Sequence, residues 1–148
     1  MAQKQYGSNN ENEEQKMLRF VREDLGDEFD NILNKSRDEN KFINTIKGFV
    51  DKNAKQISTS QLRNVFTKIK NLDENNFKEL YTLRPKLAYV SARNESIGMK
   101  KLIALLDYQI QKVDDKDKFK LFLSFFESII AYHKFYGGSN WWKIIEWN

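Results

Sequence analysis

Large apolar residues crowd most densely between Phe119 and Tyr136, in the run FKLFLSFFESIIAYHKFY. Phe119, Phe122, Phe126, Ile129, His133 and Tyr136 recur at steps of three and four, which puts them on one helical stripe. Leu121, Leu123, Phe125, Ile130 and Tyr132 fill most of the remaining circumference. A helix apolar nearly all round belongs in the centre of a bundle or in a membrane. Lys120, Glu127 and Lys134 interrupt the run before it reaches the roughly twenty uncharged residues that a span needs. The pattern therefore predicts a buried central helix near residues 115–136. Asp114 stands as its N-cap with Asp117 in the first turn, and Gly137-Gly138 offers the residue without Cβ that closes a helix.

Weaker amphipathic patterns precede it. Residues 1–15 are polar, rich in Asn and Glu and without apolar periodicity, and read as a disordered tail. Met17, Phe20, Val21 and Leu25 share a helical face that Gly26 stops, and Phe29, Ile32 and Leu33 continue in a short helix. Phe42, Ile43, Ile46, Phe49 and Val50 mark a helix from about Asp38 to Ala54. Ser58 and Gln61 have the spacing of a capping box, with Ile57 as hydrophobic staple. The helix they open buries Leu62, Val65, Phe66 and Ile69 and turns Arg63, Thr67 and Lys70 outward. Asp73 starts a further helix with Phe77, Leu80 and Tyr81 inward. Pro85 interrupts that pattern and pushes Arg84 out of helical space, so Leu83-Arg84 reads as a joint before a fresh helix, Pro85 to Arg93. There Leu87, Ala88, Ser91 and Ala92 are inward or closely packed, while Lys86, Tyr89 and Arg93 share another face. Met99 to Lys112 buries Leu102, Ile103, Leu106 and Ile110. The expected fold is all-α, a single bundle of five to six helices over residues 16–138, followed by a Trp-rich tail, 139–148. That tail, SNWWKIIEWN, is too apolar to leave in water; it either folds back on the bundle or docks onto another chain.

Composition agrees. One proline and six glycines among 148 residues are too few for the turns of a sandwich or barrel. Cysteine is absent, which excludes disulfides and thiolate metal sites and suits a reducing cytoplasm. With no apolar h-region in MAQKQYGSNNENEEQK, the reading is of a soluble cytoplasmic chain. The net charge of +4 is unevenly spread: residues 1–54 carry nine Lys/Arg against eleven Asp/Glu, and the remainder sixteen against ten. The second part thus suits a polyanionic partner, or simply has a lysine-rich solvated surface.

No catalytic constellation stands out. There is no phosphate-binding glycine loop, and His133, the single histidine, sits on the buried stripe without a second ligand, as a structural core histidine does. The acids Asp114, Asp115 and Asp117 lie where capping puts them. The chain reads as a non-enzyme without cofactor or metal.

Three segments in register carry a resemblance: ISTSQLRNVFTKIK (57–70), LRPKLAYVSAR (83–93) and FFESIIAYHKFYGG (125–138). Thr59, Ser60 and Arg63 fit a T-[ST]-x-[IL]-R helix start. Leu83 to Tyr89 with Arg93 fit L-[RK]-P-[KR]-[LI]-A-Y…R, and Phe126 to Gly137 fit a late F…FE…[IV]AY-x-K-[FY]-[YF]-G helix. In these segments the chain resembles the small helical subunit of type III-A CRISPR effector complexes, the Csm type, over roughly residues 16–138. The resemblance implies a non-catalytic subunit that self-associates in several copies beside the backbone and large subunits, along guide RNA and target RNA, in antiviral defence. The type III-B small subunit is the nearest variant. A small helical interaction module that docks through its Trp-rich tail is the alternative from another class. Joined to the basic pattern, the resemblance points to Arg63, Lys70, Arg84, Lys86, Arg93 and Lys134 as RNA-binding residues. The arginines rank first, because a guanidinium fork meets phosphate in bidentate fashion. Salt bridges to Glu79, Glu95 or Glu127 are the structural alternative for them. Tyr89 either stacks on a base or caps the core. Lys100, Lys101, Lys116, Lys118 and Lys120 are expected in solvent.

Overall fold

A computed structural model of the chain describes residues 10–137; the polar stretch 1–9 and the tail from 138 onward lie outside the described residues. Six α-helices follow one another: α1 (Glu13–Leu25), α2 (Glu39–Asn53), α3 (Thr59–Lys70), α4 (Arg84–Arg93), α5 (Ile97–Lys112) and α6 (Lys116–Phe135). Three 3-10 segments join them: η1 (Gly26–Asn31), η2 (Ala54–Gln56) and η3 (Glu74–Leu83). No strand occurs among the described residues, and the all-α expectation is met.

The central helix forms where the apolar stripe put it. Phe119, Phe122, Phe125, Phe126, Ile129, Ile130 and His133 of α6 are all buried. Aromatic and β-branched residues are indifferent helix formers, at a cost of up to about 0.7 kcal/mol each. Burial of each such side chain, at about 1.5–3 kcal/mol, decides the matter. The cap falls one residue later than expected. Asp115, not Asp114, accepts the Lys118 N–H at 2.7 Å, and Asp114 pairs with the Lys118 ammonium at 2.9 Å instead. At the other end Gly137 takes a φ of +111°, which a Cβ would oppose.

A second helix is enclosed at least as fully. In α5 every residue from Gly98 to Leu106 is buried except Lys100. α1 and α4 pack on α5, α2 and α3 on α6, and η3 touches both central helices. The start of α5 is capped from outside: Ser96 donates its hydroxyl to the Gln56 carbonyl, and the Gln56 side-chain oxygen accepts the Gly98 N–H. A Cβ on Gly98 would stand 2.8 Å from Cβ of Gln56, so only glycine allows this approach.

Several local expectations change. α1 begins in residues read as tail, because Asn12 and Gln15 form a reciprocal capping box. Ser58 does accept the Gln61 N–H, at 3.4 Å, but the Gln61 side-chain oxygen takes a bond from Asn94 rather than closing the box. Arg84 is helical, with φ −58° and ψ −45°, and opens α4 with Pro85 in the first turn. A proline there forfeits an N–H that has no helical partner anyway, and the preceding 3-10 turn already delivers Arg84 in helical space. Tyr81 is partly exposed, held by its hydroxyl donating to the Val113 carbonyl at 2.5 Å. Ala88 and Ala92 are exposed rather than inward.

Candidate nucleic-acid interface

The two sides of α4 treat their charges differently. On the side towards α1 and α5, Arg84 forms a forked ion pair with Asp107, at 2.8 and 3.4 Å. That hydrogen bonding holds the guanidinium pKa above the ordinary arginine value. Lys100 donates to the Ser91 carbonyl at 2.9 Å. These residues border an open groove of about 670 Å³ that Glu13, Glu14 and Ala88 also line. Of the arginines predicted to bind RNA, Arg84 is the one engaged in a salt bridge among the described residues, and its partner is Asp107 rather than Glu79, Glu95 or Glu127.

Beneath this side a cation is buried. Lys101, expected in solvent, is only 5% exposed, and its ammonium lies 2.5 Å from a carboxylate oxygen of Asp24 on α1. Lys52 reaches the other oxygen at 2.7 Å. Burial works to raise the Asp24 pKa, but contact with the two ammonium groups outweighs it and the carboxyl ends below the ordinary aspartate value. A lysine in an otherwise apolar run reads as a solvated interruption, and the sequence offers no sign that its partner sits 77 positions earlier on α1. Lys118 and Lys120 also have partners, Asp114 and Glu74.

On the other side of α4, against α3, lies a groove of about 420 Å³ with Val65 and Val90 in its lining. Around it stand Lys68 from α3 and Lys86, Tyr89 and Arg93 from α4. The i, i+3, i+7 spacing on α4 predicted the last three as one face. None of the three cations has an ion-pair partner among the described residues. The Lys68 amine is held below the usual lysine pKa by its contact with the Lys86 amine and by the repulsion between them. Tyr89 is 64% exposed, so it does not cap the core, and the Arg93 guanidinium lies 5.5 Å from its ring centre. Sequence reasoning passed over Lys68. The signal was its distance from Gln61 and Asn64, seven and four positions, which puts all three on the side of α3 that faces α4.

The remaining candidates stand elsewhere. Arg63 is half-buried and Lys70 exposed, and their spacing sets them roughly half a turn round α3 from Lys68. Lys134 is half-buried in the last turn of α6. The structure therefore gathers Lys86 and Arg93 with Lys68 and leaves Arg63, Lys70, Arg84 and Lys134 at other places. His133 is 2% exposed; desolvation lowers its pKa, and the nearby Ala54 and Ile57 backbone opposes that shift in part. It is the core histidine its place on the stripe predicted.

Among the described residues no helix is long and apolar enough to cross a membrane, and no group of His, Cys, Asp and Glu has the arrangement of a metal site. A protein-family model described as Csm2 Type III-A matches residues 47–139, more than half of the chain. The matched part runs from the middle of α2 to beyond α6 and takes in both helices of the basic groove. α1 falls outside it. Neither the curated proteins nor the solved structures include a match to the chain.

Proposed function

The chain belongs to the Csm2 type III-A family, and from that premise we propose that this small subunit of the type III-A Csm complex stacks in several copies along the effector. In this reading it holds the backbone of the target RNA, or of the guide–target duplex, against the open side of α4 in antiviral defence. Assembly with the other Csm subunits follows from the family; the RNA contact is the finer step. The observation that supports it is the convergence of Lys68, Lys86 and Arg93 on one groove without an acidic partner among the described residues.

A close pair of like-charged ammonium groups costs free energy until an anion lies between them, and a phosphate supplies that anion. Arg93 offers a fork for a second phosphate. The exposed ring of Tyr89, already beside a guanidinium, is a platform on which a base can stack. None of these groups reads base edges, which fits a system in which guide–target pairing carries the sequence information and the protein holds shape and backbone. The role is structural and non-catalytic. Arg63 and Lys70, on the outer side of α3, and Lys134 on α6 serve as further backbone contacts, and Arg84 is secondary because Asp107 occupies it.

The test is reconstitution of the complex with a subunit in which Lys68, Lys86 and Arg93 are all changed to Glu. Loss of target RNA with the other subunits still assembled is the expected result. Full retention of RNA at physiological salt would sink the reading.

A further inference from the structure

The groove between α3 and α4 offers more than its cations. Val65, Leu83 and Leu87 line it as buried residues, and Val90 packs against the core beside them. Around this apolar floor Lys68, Lys86, Tyr89 and Arg93 are exposed. Contact with a phosphate backbone calls for charges and hydrogen-bond donors, and an apolar floor adds nothing to it. A duplex keeps the faces of its bases inside its own stack; an A-form helix shows a protein its phosphates, 2′-hydroxyls and base edges. An unpaired nucleotide, by contrast, has a free flat face to set against such a floor.

On the reading of this groove as an RNA contact, we infer that it accepts one unpaired nucleotide, with the base on Tyr89 over the apolar floor and the flanking phosphates on Lys86, Lys68 and Arg93. The subunit then favours single-stranded RNA over duplex, whatever the base, because every base has a face to stack. Three observations converge on this occupant. The groove volume of about 420 Å³ is that of a small-ligand site. The Tyr89 ring is 64% exposed, a cost that a stacked base would remove. Along α4, Lys86 lies three positions before Tyr89 and Arg93 four after, so the ring stands between two cations, as a base in a strand stands between two phosphates. The groove on the other side of α4 is larger and also partly apolar, but Glu13, Glu14 and Asp107 line it and turn a polyanion away.

NMR titration of the full-length protein at low salt, with RNA up to millimolar concentration, tests this. The probes are single-stranded hexauridylate, an abasic strand of the same length and charge, and a hexamer duplex. Hexauridylate should move the Tyr89 ring and the Val65 and Val90 methyl resonances upfield, and should bind severalfold tighter than the other two. Tyr89→Ala should weaken hexauridylate binding about five- to a hundredfold and leave the abasic strand unchanged. Circular dichroism checks the fold of the variant, whose lost side chain is largely outside the core. Equal affinity for hexauridylate and the abasic strand, indifferent to Tyr89→Ala but lost on reversing Lys68, Lys86 and Arg93, would overturn the base pocket and leave the backbone contact standing. Binding of hexauridylate that survives the reversal would overturn both. Groove resonances unmoved at millimolar RNA would also overturn the pocket, and the complex carrying the reversed cations then decides the backbone contact by itself.

Discussion

The two sides of α4 present cations at comparable density and use them in opposite ways. Towards α1 and α5, Arg84 is bound to Asp107, Lys100 to a backbone carbonyl, and Lys101 below them to Asp24. Towards α3, Lys68, Lys86 and Arg93 surround a groove with no acid among them, and two of the ammonium groups press on each other. Like charges in contact are unfavourable, so folding alone gives no reason to hold Lys68 beside Lys86. A count of basic residues cannot separate the two sides. What separates them is whether each cation has its anion within the protein, and on the α3 side Lys68, Lys86 and Arg93 have none among the described residues.

The comparison is broken most forcefully by reversing the open side. Each charge-assisted hydrogen bond to phosphate contributes about 1.5–3 kcal/mol, so Lys68→Glu, Lys86→Glu and Arg93→Glu together should weaken RNA binding by the assembled complex a hundredfold or more. Neutralising the same three residues should make the slope of log K against log salt shallower by about two to three. Filter binding over a salt series reads both. An unchanged slope would mean that the three cations touch no phosphate.

The next effect belongs to the closed side. Lys101→Ala leaves Asp24 nearly buried with only the exposed Lys52 against it, and breaking a buried pair on one side costs about 3–5 kcal/mol. The expected fall in Tm is roughly 6–20 °C for a domain of this size, with RNA binding unaltered at temperatures where the variant is folded. The pH dependence follows from the depressed pKa of Asp24. Its stabilisation is complete above the unfolded carboxyl value and is lost as pH falls through the lower folded value. Urea unfolding of the wild-type protein should show that loss, and Lys101→Ala should show less of it.

How far the sequence reveals these two sides depends on the range of the forces involved. The helices were legible because burial acts through periodicity: Phe119 to His133 declared their stripe, and Ser58 its cap, within a few residues. Lys86, Tyr89 and Arg93 were legible as one face for the same reason. The partnership of Arg84 with Asp107 spans 23 positions and that of Lys101 with Asp24 spans 77, and nothing in local spacing encodes either. Lys68 was hidden in the same way, since its importance comes from a lysine 18 positions on, across the groove. The reading of Arg84 as a joint failed for another reason. The bias of a residue before proline away from helix is a tendency of the isolated dipeptide, and the first turn of a helix satisfies Pro85 without cost.

Arg84 itself gives a smaller test. Its side chain is 42% exposed, so solvent screens the pair with Asp107 and Arg84→Ala should cost no more than about 1 kcal/mol of stability. Chemical unfolding measures the cost, and RNA binding by the complex should change far less than it does on reversing Arg93. A large loss of RNA from Arg84→Ala would erase the distinction between the sides, because it would mean that the arginine leaves Asp107 for a phosphate.

The finest test asks whether Lys68 and Lys86 repel each other in solution. Titration of the lysine side chains by NMR should find Lys68 below the ordinary value in the free protein, and Lys86→Gln should return it upward by removing the neighbouring charge. A lysine depressed by folding leaves the folded state with fewer protons than the unfolded one, so its unfavourable contribution is relieved as pH rises through the folded pKa. Binding has the opposite sign. A phosphate between the two amines favours their charged forms, raises the Lys68 pKa and takes up protons. Affinity for RNA should therefore begin to fall, as pH rises, at the depressed pKa of Lys68 rather than at that of an ordinary lysine. In Lys86→Gln the fall should start later, from a lower starting affinity. A Lys68 titration that Lys86→Gln leaves unmoved would show that the two amines are not neighbours, and would remove the pair from the argument for an anion site.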